Sequence, residues 1–433
     1  LAALAFDFGG IGMSIFHRIF AGAFALAVSG AVFGAEFIKA DPEQLGMSSK
    51  RLAVLDARLR AYVDEDRIAG QVALVLRDGQ IVFSAANGWR DKEAGVAMTG
   101  DTIFRIASQT KAIVSTAIMV LQEQGKLDIG DPLDRYLPEW RDMQVAVPDG
   151  NGGYALEDAA RPITIRHLLT HTAGMSYGNG PSQDRWAEAG FQGWYFANRD
   201  EPIADSIARM GALPLDAHPG ERWVYGYSTD ILGVVVEKAS GMDLQSFLQQ
   251  HFFDPLDMRD THFYLPRDKR DRLATVYQPG ADGVEARPET DGMWSQGMYI
   301  DGPRMSYSGG AGLLSTARDY ARFLQMTLNG GELDGARILS PKSIELMTAN
   351  HLGDVPYRPG QGFGLGYFTV EDLGDRGSLG SEGEYGWGGA YHTTYWVDPE
   401  EKLVVVYLTQ IIPATGLNDY STLRNGVYQA IVE

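Results

Sequence analysis

Phe104-Arg105-Ile106-Ala107-Ser108-Gln109-Thr110-Lys111 opens a stretch that reads as helix to about Gln124. Ser108 and Lys111 form a Ser-x-x-Lys pattern, and on a helix positions i and i+3 share one face. The amine can therefore reach the hydroxyl. A serine hydroxyl is a weak nucleophile without a neighbouring base. Lysine can serve if burial or nearby positive potential lowers its pKa. Ala112, Ile113, Val114, Ala117 and Ile118 are apolar and would bury this helix. Ser108 would then lie at the positive end of the helix dipole, where unpaired backbone N–H groups suit a developing oxyanion. Ser108 is the only serine in the chain with lysine three residues on. An N-capping serine beside a surface lysine would satisfy the same four-residue pattern.

Outward from this motif, both ends of the chain carry strand patterns. Val72–Leu76 and Ile81–Ser84 are β-rich runs joined by Arg77-Asp78-Gly79-Gln80, a hairpin pattern. Thr393–Val397 and Leu403–Leu408 flank a turn at Asp398-Pro399-Glu400-Glu401 and repeat it. Ser49 to Asp64 has Leu52, Leu55, Leu59 and Val63 at helical spacing, and Asn418 to Val432 fits a closing helix. The middle is mainly helical, with long Gly/Pro-rich loops expected at 146–162 and 278–312. The expected class is α/β (α+β): a mixed antiparallel sheet built from both termini and flanked by helices, with a mostly helical domain inserted. The expected divisions are 36–112 and 310–433 for the sheet domain, and 113–309 for the helical one.

Composition narrows the function. The 433 residues hold 37 Lys+Arg against 56 Asp+Glu, a net charge of −19, with 45% hydrophobic and 21% charged residues. That describes a globular chain. Such an acidic balance argues against nucleic acid, which needs clustered cations, and against anionic lipid surfaces. There is no cysteine, so disulfides, thiol nucleophiles and thiolate metal sites are excluded. Histidine numbers eight, without His-Glu-x-x-His. His167 and His171 have ligand spacing, but no third ligand accompanies them, and they read as structural. No metal or cofactor is expected.

The first twelve residues precede Met13 and are set aside as additional or upstream sequence. Met13 to about Ala35 resembles a secretory signal peptide, with a short basic start at His17 and Arg18 and an apolar run from Ile19. Residues 1–35 are thus expected to be a leader. Periplasmic or secreted location is the expectation, and a cytoplasmic one with an uncleaved N-terminus the alternative. No other segment is long and apolar enough to span a bilayer.

The run FRIASQTK, with Gly125-Lys126-Leu127-Asp128 and Asp131-Pro132-Leu133, resembles the serine β-lactamase and penicillin-binding-protein superfamily. The resemblance continues through Arg166–Met175, Pro219–Trp223 with Ile231-Leu232-Gly233, and Ser308–Leu313. It spans about residues 41 to 433, and its order is most similar to class C β-lactamases and family VIII carboxylesterases. It implies Ser108 as nucleophile, Lys111 as base and Tyr225 as a proton-relaying tyrosine. Tyr227 competes with Tyr225 for that role. It also stands where class C enzymes carry the Asn of Tyr-x-Asn, which places it among the expected substrate-binding residues.

The superfamily's cationic Lys-Thr-Gly or His-Thr-Gly does not occur. Gly386-Trp387-Gly388-Gly389-Ala390 stands in its place, as in family VIII esterases. Trp387 offers apolar area and one N–H donor but no charge. Gly388 and Gly389 admit close backbone approach. These three complete the expected substrate-binding set, and the resemblance implies an oxyanion hole from the backbone N–H groups of Ser108 and Ala390. The implied activity is hydrolysis of short-chain carboxylic esters through a Ser108 acyl-enzyme, with weak β-lactam hydrolysis as a companion. A β-lactamase or D-Ala-D-Ala peptidase, and an acyltransferase, are the alternatives. The implied partner is a small ester, with no obligate protein partner. Gly174-Met175-Ser176-Tyr177-Gly178 also matches Gly-x-Ser-x-Gly, but that motif needs a strand-to-helix turn. A helical stretch precedes Ser176 and a loop follows it, so Ser176 is not expected to react.

Overall fold

The computed structural model describes residues 36–290 and 292–433. The leader-like segment lies outside the described residues. The described residues form one compact unit.

Its frame is an eight-stranded antiparallel sheet. The strands are β1 (Gly70–Arg77), β2 (Gln80–Asp91), β3 (Val96–Ala97), β4 (Gln361–Phe363), β5 (Phe368–Val370), β6 (Tyr385–Gly389), β7 (Thr393–Asp398) and β8 (Leu403–Thr409), in spatial order β4-β5-β6-β7-β8-β1-β2-β3. The two hairpins read from sequence are β1–β2 and β7–β8. They join where β1 pairs with β8, from Gln71 opposite Thr409 to Arg77 opposite Leu403.

Both central strands are buried on both faces, and the period of two sorts their side chains between two cores. Val72, Leu74, Leu76, Val404, Val406 and Leu408 belong to the large core. Ala73, Val75, Leu403, Val405 and Tyr407 belong to a smaller one. The smaller core lies beneath α1 (Ser49–Asp64), which packs Leu52, Leu55 and Leu59 together with Leu423, Val427 and Ala430 of the C-terminal helix Asp419–Ala430. A Cβ on Gly426 would sit 2.5 Å from Leu55 Cδ1, so the glycine lets the two helices approach. Leu55→Ala should cost about 2–5 kcal/mol.

The large core is centred on α2 (Thr110–Glu123). Every residue from Thr110 to Leu121 is buried. A helix covered all round is enclosed by protein. Its neighbour α3 (Ser228–Ser240) is buried from Ser228 to Val236. α4 (Ala317–Leu328) lies on the same side of the sheet and contributes Tyr320, Phe323 and Leu324.

The loops expected at 146–162 and 278–312 are partly ordered. The first carries the hairpin Gln144–Pro148/Tyr154–Asp158, and the second begins with Tyr277–Gly280/Gly283–Ala286. The Gly and Pro content that marks these stretches as loops belongs largely to turns, and the flanking residues pair across them. No helix among the described residues is long and apolar enough to cross a membrane.

Candidate active site

Ser108 lies in a single 3-10 turn, Ala107–Gln109, that runs directly into α2. The turn is tight enough to force Ala107 to φ +43°, a left-handed conformation that an L-residue adopts at a cost of about 1–2 kcal/mol. Ala107 itself is buried, so surrounding packing holds the strain. Ser108 is half-buried and reachable.

One turn after Ser108, at the second residue of α2, Lys111 is 2% exposed. Its Nζ lies 3.4 Å from Ser108 Oγ, 2.9 Å from Tyr177 Oη and 2.7 Å from the Gly310 carbonyl oxygen. Among the described residues no carboxylate is ion-paired with it. The Gly310 carbonyl is fixed from below. Asp230 of α3 is fully buried, and its Oδ1 accepts the Ser308 hydroxyl at 2.6 Å and the Gly310 N–H at 3.0 Å. A Cβ on Gly310 would fall 2.3 Å from Asp230 Oδ2. Burial pushes the Asp230 carboxyl above its ordinary range, while Lys111 pulls it down.

Tyr177 and Tyr225 meet at Lys111. Lys111 Nζ donates to Tyr177 Oη, and the Tyr177 ring meets the Tyr225 ring edge-on at 5.7 Å between centroids. The amine sits 4.8 Å from the Tyr225 ring centroid, a cation–π distance for a charged amine. Burial, then Tyr225 and Asp230, push the Tyr177 phenol well above its usual range, so it is a neutral donor near pH 7. Trp387 Nε1 donates to Tyr225 Oη at 3.1 Å. Hydrogen bonds therefore join Ser108, Lys111 and Tyr177, and the Tyr225–Trp387 pair packs against both Lys111 and Tyr177. His171 packs on Tyr225 at 4.7 Å between ring centroids. Burial, then Lys111, hold the His171 imidazole well below its ordinary pKa, so it stays neutral near pH 7. His167 Nδ1 accepts the Thr164 N–H in a helix capping box, a structural role.

The end of β6 closes the other side. Trp387, Gly388, Gly389 and Ala390 are all half-buried. A Cβ on Gly389 would lie 2.3 Å from the Ile106 carbonyl oxygen, so this strand end runs against the backbone two residues before Ser108. Ala390 follows at once. Beyond it His392, at φ +61°, turns the chain into β7, with its ring held by Asp419 at 2.8 Å.

Of the site residues read from sequence, the fold gathers Ser108, Lys111, Tyr225, Trp387 and Gly388–Ala390. Tyr227 goes elsewhere. It is 1% exposed, its hydroxyl donates to the Gly193 carbonyl at 2.6 Å, and its ring stacks on Trp186. It touches Tyr177 edge-on at 5.0 Å, as a buttress. Ser176 is a loop brace whose Oγ accepts the Asn179 N–H. Tyr177 and Asp230 were missed from sequence. Among the described residues no group of three or more His, Cys, Asp or Glu is placed to hold a metal ion.

The sequence profile of the beta-lactamase family matches residues 55–420. The chain belongs to that family. Within it, the chain is 35% identical over 378 residues to protein Rv1367c of Mycobacterium tuberculosis, covering 82% of this chain and 89% of that one. It is 32% identical over 411 residues to the esterase EstB of Burkholderia gladioli, covering 90% and 98%. Among solved structures, EstCE1, described as a hydrolase with promiscuous acyltransferase activity, superposes with a TM-score of 0.73 at 28% identity, covering 88% of this chain and 99% of that one. The likeness to family VIII esterases read from Trp387-Gly388-Gly389 agrees with these relatives.

Proposed function

We propose that this beta-lactamase-family chain is a serine hydrolase that cleaves short-chain carboxylic esters through a Ser108 acyl-enzyme. The observation that carries the reading is Lys111, buried without an ion-paired carboxylate among the described residues and 3.4 Å from Ser108 Oγ. An amine in that setting, in its neutral form, can take the hydroxyl proton as Oγ attacks the ester carbonyl. The oxyanion forms between the Ser108 and Ala390 N–H groups. The proton passes from Lys111 through Tyr177 and Tyr225 to the departing alcohol. Water then attacks the acyl carbonyl, giving its proton to the same path, and the carboxylic acid leaves with Ser108 restored. Trp387 beside this path favours an ester over a substrate whose carboxylate needs the family's cationic motif. EstB supports the esterase reading and EstCE1 its extension, in which an added alcohol replaces water and the product is a new ester.

The test has two parts. A fluorophosphonate probe followed by peptide mapping should label Ser108, and a label elsewhere overturns the mechanism. p-Nitrophenyl acetate and butyrate should be turned over with higher kcat/KM than nitrocefin. The reverse order would make the chain a β-lactamase.

A further inference from the structure

The Ser108–Lys111 centre has an aromatic wall that meets Lys111 at Tyr225 and carries a guanidinium over Tyr357 and Trp387. Trp223, Tyr225, Tyr357, Phe363 and Trp387 touch ring to ring, with centroid separations from 5.0 to 6.2 Å. Over this wall lies Arg358. Its guanidinium carbon is 5.4 Å from the Tyr357 centroid and 5.7 Å from the Trp387 centroid. Arg358 is solvent-exposed, and among the described residues no carboxylate lies within ion-pair distance of it. The guanidinium carbon rests over two rings instead, which leaves its fork of N–H donors free to meet a ligand.

Its position also has a direction. Trp387, under Arg358, donates to Tyr225, and Tyr225 ends the path proposed above to protonate the leaving alcohol. Arg358 is therefore on the alcohol side of the ester.

We infer that Arg358 is a specificity-determining residue that selects esters whose alcohol portion is a flat ring carrying a carboxylate. The ring lies against the aromatic wall beside Arg358, and its carboxylate accepts two N–H bonds from the guanidinium. The inference rests on the esterase reading and names its substrate class.

4-Acetoxybenzoate and its neutral methyl ester differ only in this charge, so each variant is scored by its kcat/KM on both relative to the parent. Arg358→Gln should lower kcat/KM for 4-acetoxybenzoate about tenfold and leave the methyl ester within about twofold. The loss should fall mainly in KM, because the contact is made equally in ground and transition states. Arg358→Lys should restore part of it, and Arg358→Glu should deepen it. Raising the salt concentration should shrink the parent's preference. An equal change on both esters, or no change on either, overturns the inference while leaving the esterase reading intact. If the parent hydrolyses neither ester nor p-nitrophenyl butyrate, the esterase reading falls and this inference with it.

Discussion

Gly389→Ala tests how tightly the end of β6 is set against the serine turn. The added Cβ would meet the Ile106 carbonyl oxygen at 2.3 Å and Thr393 Oγ1 at 2.4 Å, where real Cβ contacts do not fall below 3.0 Å. The hydroxyl of Thr393 can rotate away, but the Ile106 carbonyl is main chain. The strand end and the serine turn must therefore separate by about 0.7 Å, the difference between 3.0 and 2.3 Å. Overpacking of that kind costs about 1–3 kcal/mol in stability. A displacement approaching 1 Å at the reacting centre costs on the order of 10²-fold in rate. That equals about 2.7 kcal/mol of barrier. The variant should fold, melt a few degrees lower, and lose about 10²-fold in kcat on p-nitrophenyl butyrate, close to the loss of one oxyanion donor. Fluorophosphonate labelling of Ser108 should slow alongside. A folded Gly389→Ala protein within about twofold of the parent kcat would refute the placement of Ala390 in the oxyanion hole.

Ser108→Ala should abolish both labelling and turnover, whereas Ser176→Ala should keep most activity; steady-state kinetics on one ester reads both. Tyr177→Phe removes the hydroxyl 2.9 Å from Lys111 while keeping the ring. It should lower kcat on the order of 10²-fold or more with little change in KM, and an unchanged kcat would remove Tyr177 from the proton path. Stability should fall in acid through His167 and His262, each pushed from the usual 6.5 down to about 4, first by burial and then by neighbouring cations. Between pH 6.5 and about 4 the unfolded chain binds protons that the folded chain refuses, so stability present above 6.5 is lost as pH falls through that window. His167→Gln with His262→Gln should flatten the slope of denaturation midpoint against pH there.

The parts of the fold legible in the sequence were those whose cause is local. α1 was read at its observed bounds from Leu52, Leu55, Leu59 and Val63, and β1–β2 and β7–β8 from β-rich runs around polar turns. Ser108 and Lys111 were legible because one helical turn alone brings them together. Tyr177 was not, because 66 residues separate it from Lys111 and only tertiary packing joins them. Its surrounding Gly-x-Ser-x-Gly drew attention to the serine instead. Asp230 was hidden for a related reason. A lone acid inside an apolar helix carries no periodic mark, and its partners Ser308 and Gly310 come from a distant loop. Tyr225 and Tyr227 stand two apart before α3, and nothing local decides which enters the cleft and which stacks on Trp186.

Gln71 pairs with Thr409 inside the sheet, so two neighbouring strands are made far apart in time during synthesis. During translation β1 and β2 emerge as a hairpin with one hydrogen-bonding edge vacant until β8 has left the ribosome. A vacant, apolar edge is a template for pairing with other nascent chains. Yield of active enzyme in a recombinant host should therefore depend on expression rate and chaperone supply more steeply than the stability of the finished molecule suggests.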